Sequence, residues 1–340
     1  MENTRDNYNY NYSIMRIICA CAVIFIHTCS CLTDNYTNFL MSDSQYKILS
    51  KLAQLGRFAV PCFFMLTGYL LIRKETVYSY KIVFEKYIVK IILTLLIFGT
   101  IFSMMEIVFN EGFNLKTLYK SIINVIENKS WSHLWYLYSL IGIYLALPII
   151  QGLFLNIKNT FIAIIVLFVC TYIYPVISIF NIDVAFKVPV NGFPLIYFMW
   201  GGVMSKVDLT QYRKYINYSC VFVLLIILSI IMFSDNYIYF NYSDGIATFF
   251  YAISIFMLFS VNKINVKSMK AELYKIDRLC YAVYIVHPFF INMLYKMLKI
   301  TPISYGNVFI SVFVFYIFFV ASSFLAAFFM KKIWIIRRLV

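Results

Sequence analysis

What most constrains this chain is a succession of apolar runs, each close to the length that crosses a bilayer. They fall at 14–33, 55–72, 83–109, 133–150, 160–180, 190–205, 216–234, 244–262, 279–298 and 307–330. At ~1.5 Å of rise per residue, roughly 20 helical residues cover a hydrocarbon core ~30 Å thick. A backbone in hydrocarbon must satisfy its own polar groups, and a helix does so within one segment. Composition agrees, since 62% hydrophobic and 13% charged residues leave too little polar surface to coat a water-soluble globule. The expectation is an all-α, polytopic transmembrane helical bundle of about ten spans. It forms one domain over residues 1–340, with no appended soluble domain. The run at 83–109 is long enough to tilt or project. The run at 190–205 is short and carries Gly192, Pro194, Gly201 and Gly202, so a broken or partly spanning helix is expected there.

Charge sets the orientation. The formal net charge is +14, yet the basic residues sit in short patches between apolar runs, and no basic domain points to nucleic acid. With Met1 inside, about two thirds of the Lys and Arg residues fall on the inner segments, so both termini are expected to be cytoplasmic. The first 13 residues are polar and lack a basic n-region, so the first run reads as a retained helix. The eight cysteines lie mostly within the runs, where small buried hydrophobes are their ordinary role; a disulfide is conceivable only near Cys29 and Cys31. No Walker loop, dinucleotide fingerprint or zinc spacing is present, and no metal site is expected.

Three histidines carry the chemistry: His27, His133 and His287. An ionisable group inside a membrane is costly and usually functional. His27 follows Arg16 by eleven residues, ~16 Å along the first helix. His287 follows Arg278 by nine, ~13 Å along the ninth, and Pro288 frees a backbone carbonyl in the preceding turn. His133 opens the fourth run within Ser130-Trp131-Ser132-His133-Leu134-Trp135-Tyr136. Each imidazole could instead serve only as a hydrogen-bonding link between helices, and His133 as an interfacial residue. Two deep histidines, each above an inner-face arginine, favour proton transfer.

At these residues the chain resembles acyltransferase family 3. Arg16…His27 is similar to its first-helix Arg-x10-His signature. Val60-Pro61-Cys62-Phe63-Phe64-Met65-Leu66-Thr67-Gly68-Tyr69-Leu70-Leu71 followed by Arg73 looks like its second-helix motif, with Thr67 where Ser is commoner. His133-Leu134-Trp135-Tyr136-Leu137, with Tyr144 and Pro148, resembles the surface-polysaccharide O-acetyltransferase branch. Tyr281-Ala282-Val283-Tyr284-Ile285-Val286-His287-Pro288 is similar to the penultimate-helix Tyr-x-x-His-Pro motif, with Cys280 where Ser is often found. Residues 151–270 match only in hydropathy.

The resemblance implies a membrane O-acyltransferase of the cell membrane, in a bacterial plasma membrane. It would move an acetyl or other acyl group from cytoplasmic acyl-CoA to a hydroxyl of an extracytoplasmic or lipid-linked glycan. Acetyl-CoA is then a donor substrate and no cofactor is held permanently. His27 and His287 are the expected catalytic residues, His27 as general base or acyl carrier and His287 as orienting or oxyanion-stabilising group. Arg16, Arg73, Lys74 and Arg278 are expected to bind the phosphates of coenzyme A, which guanidinium forks suit well. His133, Trp135, Tyr136 and Tyr284 are the expected acceptor contacts. Outer-segment Trp131, Glu111, Glu127, Asp235 and Asp244 suit sugar as well. A carrier of a small polar substrate without acyl chemistry is the competing class, since deep histidines and broken helices also serve proton-coupled transport.

Overall fold

The computed structural model describes residues 9–35, 37–73, 78–173, 192–234 and 245–340. Among them every regular element is helical and no strand occurs. Six helices are long and apolar enough to cross a membrane: Tyr10–Thr33, Asp43–Ile72, Tyr80–Glu111, Ser132–Leu153, Thr210–Phe233 and Val308–Met330. Ile157–Ile173 and Ile246–Val261 are apolar but shorter. All-helical architecture and a membrane setting therefore hold, with six candidate spans among the described residues beside the ten expected. Asp235, Asp244 and Lys74 lie outside the described residues.

The chain divides into two compact units. The first contains residues 1–75 and 153–280. Its helices are α1 (Tyr10–Thr33), α2 (Asp43–Leu55), α3 (Ala59–Ile72), α7 (Ile157–Ile173), α8 (Phe193–Lys206), α9 (Arg213–Phe233), α10 (Ile246–Val261) and α11 (Lys270–Asp277). The second contains residues 76–152 and 281–340. It is built from α4 (Tyr80–Glu111), α5 (Leu115–Ile126), α6 (Ser132–Leu153, all but its last residue), α12 (Cys280–Asn292, all but its first residue), α13 (Val308–Met330) and α14 (Trp334–Leu339).

Apolar surface is left uncovered where lipid replaces water. In α9 only 17% of the most apolar stretch is buried, against 61% in Asp43–Ile72. Phe222, Leu225, Met232 and Phe233 of α9 stand exposed, as do Phe309, Phe313 and Phe329 of α13. A water-soluble fold avoids exposing such patches, whereas hydrocarbon solvates them.

The first unit is organised by one close crossing, α3 on α8. A Cβ added to Gly68 would stand 1.9 Å from the carbonyl oxygen of Phe198, and one added to Gly201 would stand 1.9 Å from that of Met65. The two glycines thus admit each other's helix backbone. Between apolar helices in lipid this is the main route to tight packing, because burial of apolar surface gives no advantage there. Gly202 similarly admits the Phe154 ring, 2.5 Å from its would-be Cβ. Of the broken or partly spanning helix expected at 190–205, the break is corrected, while a helix of 14 residues is too short to span fully. Helix α8 runs unbroken through Gly201 and Gly202, with Pro194 in its first turn where the missing N–H costs nothing. The glycines serve approach, not interruption.

In the second unit, α4 runs for 32 residues, ~48 Å, well beyond the hydrocarbon thickness. Two π turns, Phe84–Ile88 and Leu95–Gly99, interrupt its regular ladder. The second ends at Gly99, whose carbonyl accepts the Ser130 hydroxyl at 2.8 Å. That bond ties the segment leading to His133 against α4.

Replacing Gly201 or Gly68 with Ala must push a backbone carbonyl aside, at a cost of about 1–3 kcal/mol or more. Thermal unfolding of the detergent-solubilised protein should show a clear loss for both variants. Gly142→Ala, where nothing lies within 4 Å of the new Cβ, should leave the midpoint unchanged. Equal stability of all three would remove the close crossing from the account.

Candidate functional site

The second unit brings three of the expected acceptor residues onto one of the expected catalytic histidines. A proline at position 288 has no N–H to give to the carbonyl four residues earlier, which is Tyr284. His287 fills that vacancy from its own side chain. Its Nδ1 lies 2.8 Å from the Tyr284 oxygen and 3.2 Å from that of Val283. A carbonyl only accepts, so Nδ1 carries the proton and Nε2 of the neutral ring bears the lone pair. A neutral His287 therefore presents a base at Nε2, which an oxyanion-stabilising role does not need.

His133 stands beside it. The ring centroids are 5.6 Å apart and their planes meet at 72°. Both histidines are fully buried, at 3% and 0% exposure. His133 sits in the 3-10 turn Ser132–Leu134 at the head of α6, and its carbonyl accepts the Tyr284 hydroxyl. The Tyr136 ring packs 5.4 Å from Tyr284, edge to face. Trp135 is half-buried, 6.4 Å from Tyr136. On the other flank, Phe102 lies 5.9 Å from His133 and stacks on Trp131 at 4.4 Å with nearly parallel planes. Trp131 donates its indole N–H to Glu106 at 3.0 Å.

The carboxylates expected to contact sugar fare differently. Glu111 pairs with Lys120 at 3.0 Å and Glu127 with Lys129 at 2.7 Å, all four side chains well exposed. Such pairs contribute little and mark solvated surface. Glu106, not singled out in the sequence, is the carboxylate that touches the aromatic cluster. Its signal was available: it lies within an otherwise apolar stretch of α4.

The first unit gathers the arginines. Tyr12 of α1 packs 4.3 Å from Tyr69 of α3 and stacks on Phe256 of α10. Arg16 lies one turn beyond Tyr12, and Arg73 caps α3 one turn beyond Tyr69. The pair is antiparallel, so Arg73 lies one turn outward from this contact and Arg16 one turn inward, both near the Tyr12 end of the unit. Arg16 forms an ion pair with Asp277, the last residue of α11, and Ser13 donates to the same carboxylate at 3.3 Å. Arg278 follows directly, exposed, its guanidinium 5.7 Å from the Tyr274 ring centroid. Asp277 is 5% exposed and escaped the sequence reading, although a carboxylate adjoining Arg278 in so apolar a chain was a usable sign. The amide of Asn11, donating to the carbonyls of Phe259 and Asn262, pins the same end of α1.

His27 lies in the other half of α1, six residues before its end. The turn between α2 and α3 reaches it because Gly56 has no side chain: a Cβ there would meet Ile26 at 2.6 Å and the Ala22 carbonyl at 2.8 Å. That approach brings Arg57 within electrostatic reach of His27. Arg57 was not anticipated as a neighbour, since it is remote in sequence and only the packing of the turn delivers it. All eight cysteines are free thiols, including Cys29 and Cys31. Among the described residues no group of three or more His, Cys, Asp or Glu is placed to hold a metal ion.

Comparison with known proteins bears on the whole arrangement. The family model described as the acyltransferase domain, that of acyltransferase family 3, matches residues 9–331. No curated protein matches the chain, and no solved structure does. The matched region runs from the cap of α1 to the end of α13 and takes in all three histidines and every described arginine considered above, so this membrane protein belongs to acyltransferase family 3.

Proposed function

We propose that the protein transfers an acetyl or other acyl group from cytoplasmic acyl-CoA to a hydroxyl of an extracytoplasmic or lipid-linked glycan, as a multi-pass enzyme of a bacterial plasma membrane. The observation that carries this reading is the contact of His287 Nδ1 with the Tyr284 carbonyl. A buried imidazole whose Nδ1–H is spent on the carbonyl freed by Pro288 offers its Nε2 lone pair to a hydroxyl proton. Family membership supports acyl transfer over transport without acyl chemistry.

In this mechanism His287 takes the proton of the acceptor hydroxyl while its oxygen bonds to the acyl carbon. The bond from that carbon to the leaving group breaks, and the departing group recovers the proton. His133 and Tyr284 hold the imidazole in place, and Tyr136 and Trp135 contact the acceptor. His27 is either a transient acyl carrier, taking the acyl group as coenzyme A leaves as its thiol, or the base on the acceptor hydroxyl in place of His287; acid quench and detection of an acyl-histidine distinguish the two. Arg16, Arg73 and Arg278, with Lys74, meet the coenzyme A phosphates. Such phosphates suit guanidiniums already oriented by a partner, as Arg16 is by Asp277. Both termini are cytoplasmic in this reading, donor and acceptor arrive from opposite faces, and no coenzyme A crosses the bilayer.

Asparagine offers an N–H close to the position of Nδ1 but has no counterpart of Nε2. His287→Asn should therefore keep the Tyr284 carbonyl capped while turnover drops ~10²–10⁴-fold, the usual worth of a positioned base. His27→Ala should lose transfer to a similar extent with normal membrane insertion. Near-parental turnover in either variant refutes that residue's role.

Arg16 needs a more careful test, because removing it strands a buried carboxylate, at a cost of about 3–5 kcal/mol. Arg16→Ala should unfold easily, whereas Arg16→Ala combined with Asp277→Asn should regain stability and still show a raised KM for acyl-CoA. A double variant with parental KM would confine Arg16 to a structural role.

In oriented vesicles, acyl-CoA should support transfer only from the cytoplasmic face and water-soluble acceptors only from the other. A requirement for both on one face would overturn the through-membrane scheme.

A further inference from the structure

A small cavity of about 110 Å³ opens in the second unit beside the histidine pair, lined by Glu106, Phe109, Asn110, Trp131, Asn292 and Lys296. Its position follows from the chain. Asn292 and Lys296 lie five and nine residues beyond His287, on the same helix and its π-turn extension. They continue away from the Cys280 end. Trp131 precedes His133 by two residues, and its ring reaches His133 through the stacked Phe102.

The polar groups on this wall are partly unspent. Glu106 uses Oε2 to accept the Trp131 indole N–H. Asn110 donates its amide to the Glu106 carbonyl at 2.9 Å, which leaves Oδ1 to accept. Lys296 lines the cavity, is exposed, and makes no hydrogen bond or ion pair among the described residues. One aromatic wall, one ammonium, one carboxylate and two carboxamides thus converge on a space that would hold roughly three or four waters at ~30 Å³ each.

A sugar ring edge presents hydroxyls that both donate and accept, around faces of C–H that settle on aromatic rings. We infer that this cavity is a further part of the acceptor site, beyond the Tyr136 and Trp135 contacts, and that it takes the hydroxyl edge of a single uncharged saccharide ring, with Lys296 donating, Glu106 and Asn110 accepting, and Trp131 as the wall. The opposite charges of Lys296 and Glu106 give the wall no net charge, which disfavours a uronate. At about 110 Å³ the cavity takes one edge of a ring and leaves the rest of the ring outside it. The inference rests on the proposed transfer to a glycan and adds the residues and ring chemistry that select the acceptor.

Purified protein in liposomes, supplied with radiolabelled acetyl-CoA, would be given methyl glucoside, methyl glucuronide or glycerol. The parent should acetylate methyl glucoside with a KM at least tenfold below that for either of the others. Lys296→Met and Glu106→Gln should each raise the methyl glucoside KM about tenfold or more, while kcat and the KM for acetyl-CoA move less than threefold. Lys296 and Glu106 are exposed, so both variants should fold; Lys296→Arg, which retains the donors, should recover most of the affinity. A parent that acetylates methyl glucoside alongside variants with unchanged acceptor KM overturns the subsite and leaves the glycan reading standing. Preference for the glucuronide overturns the uncharged ring. A parent that acetylates no glycoside removes the glycan reading and the subsite with it.

Discussion

In hydrocarbon, a backbone carbonyl released from the helical ladder finds no water, and this constraint shapes the second unit more than any single contact. Two interruptions release such groups, and each is answered by a side chain that matters. The π turn ending at Gly99 is met by Ser130, which draws the Trp131–His133 segment onto α4. Pro288 releases the Tyr284 carbonyl, and His287 answers it with Nδ1. The backbone defect thereby fixes where the imidazole of His287 is held. Elsewhere hydroxyls are spent within their own helices, as Thr28 on Ile24 and Thr67 on Phe63, so few polar groups remain to compete for the site.

Close approach is the second organising device. Between α3 and α8 the crossing depends on Gly68 and Gly201, and the turn carrying Arg57 reaches α1 because Gly56 leaves room. Apolar side chains alone would not hold these helices together in lipid, which solvates them equally well. Small residues let van der Waals contact replace the missing hydrophobic drive. The same glycines determine which polar residues become neighbours. Arg57 reaches His27 by this means, and Arg16 reaches Asp277 because α1 is held against its neighbours.

The arginine end and the histidine pair differ in how they tolerate change. Arg16 and Asp277 depend on each other, since the carboxylate is buried and the guanidinium is only partly exposed. Arg278 stands in solvent over Tyr274. The histidine pair sits in an aromatic cage, and its geometry comes from ring packing and backbone carbonyls.

How much of this was legible in the sequence depends on the range of the interaction. The helical, membrane-embedded class was written in the apolar runs, because burial in lipid depends on local composition. The family was legible in motifs that each lie within a dozen or so residues. His287 and Pro288 even disclosed a freed carbonyl, since an i to i−4 relation is fixed by helix geometry. The partners were not legible. His133 and His287 are 154 positions apart, Arg16 and Asp277 are 261, and apolar periodicity says nothing of which faces meet. The glycines at 201 and 202 looked like a break because their cost to an isolated helix is local, while their benefit, room for the Met65 carbonyl and the Phe154 ring, exists only after packing. Sequence alone determined the solvent, the helical class and the family; tertiary structure decided which residues touch, because contact between helices depends on shape at positions that no local pattern connects.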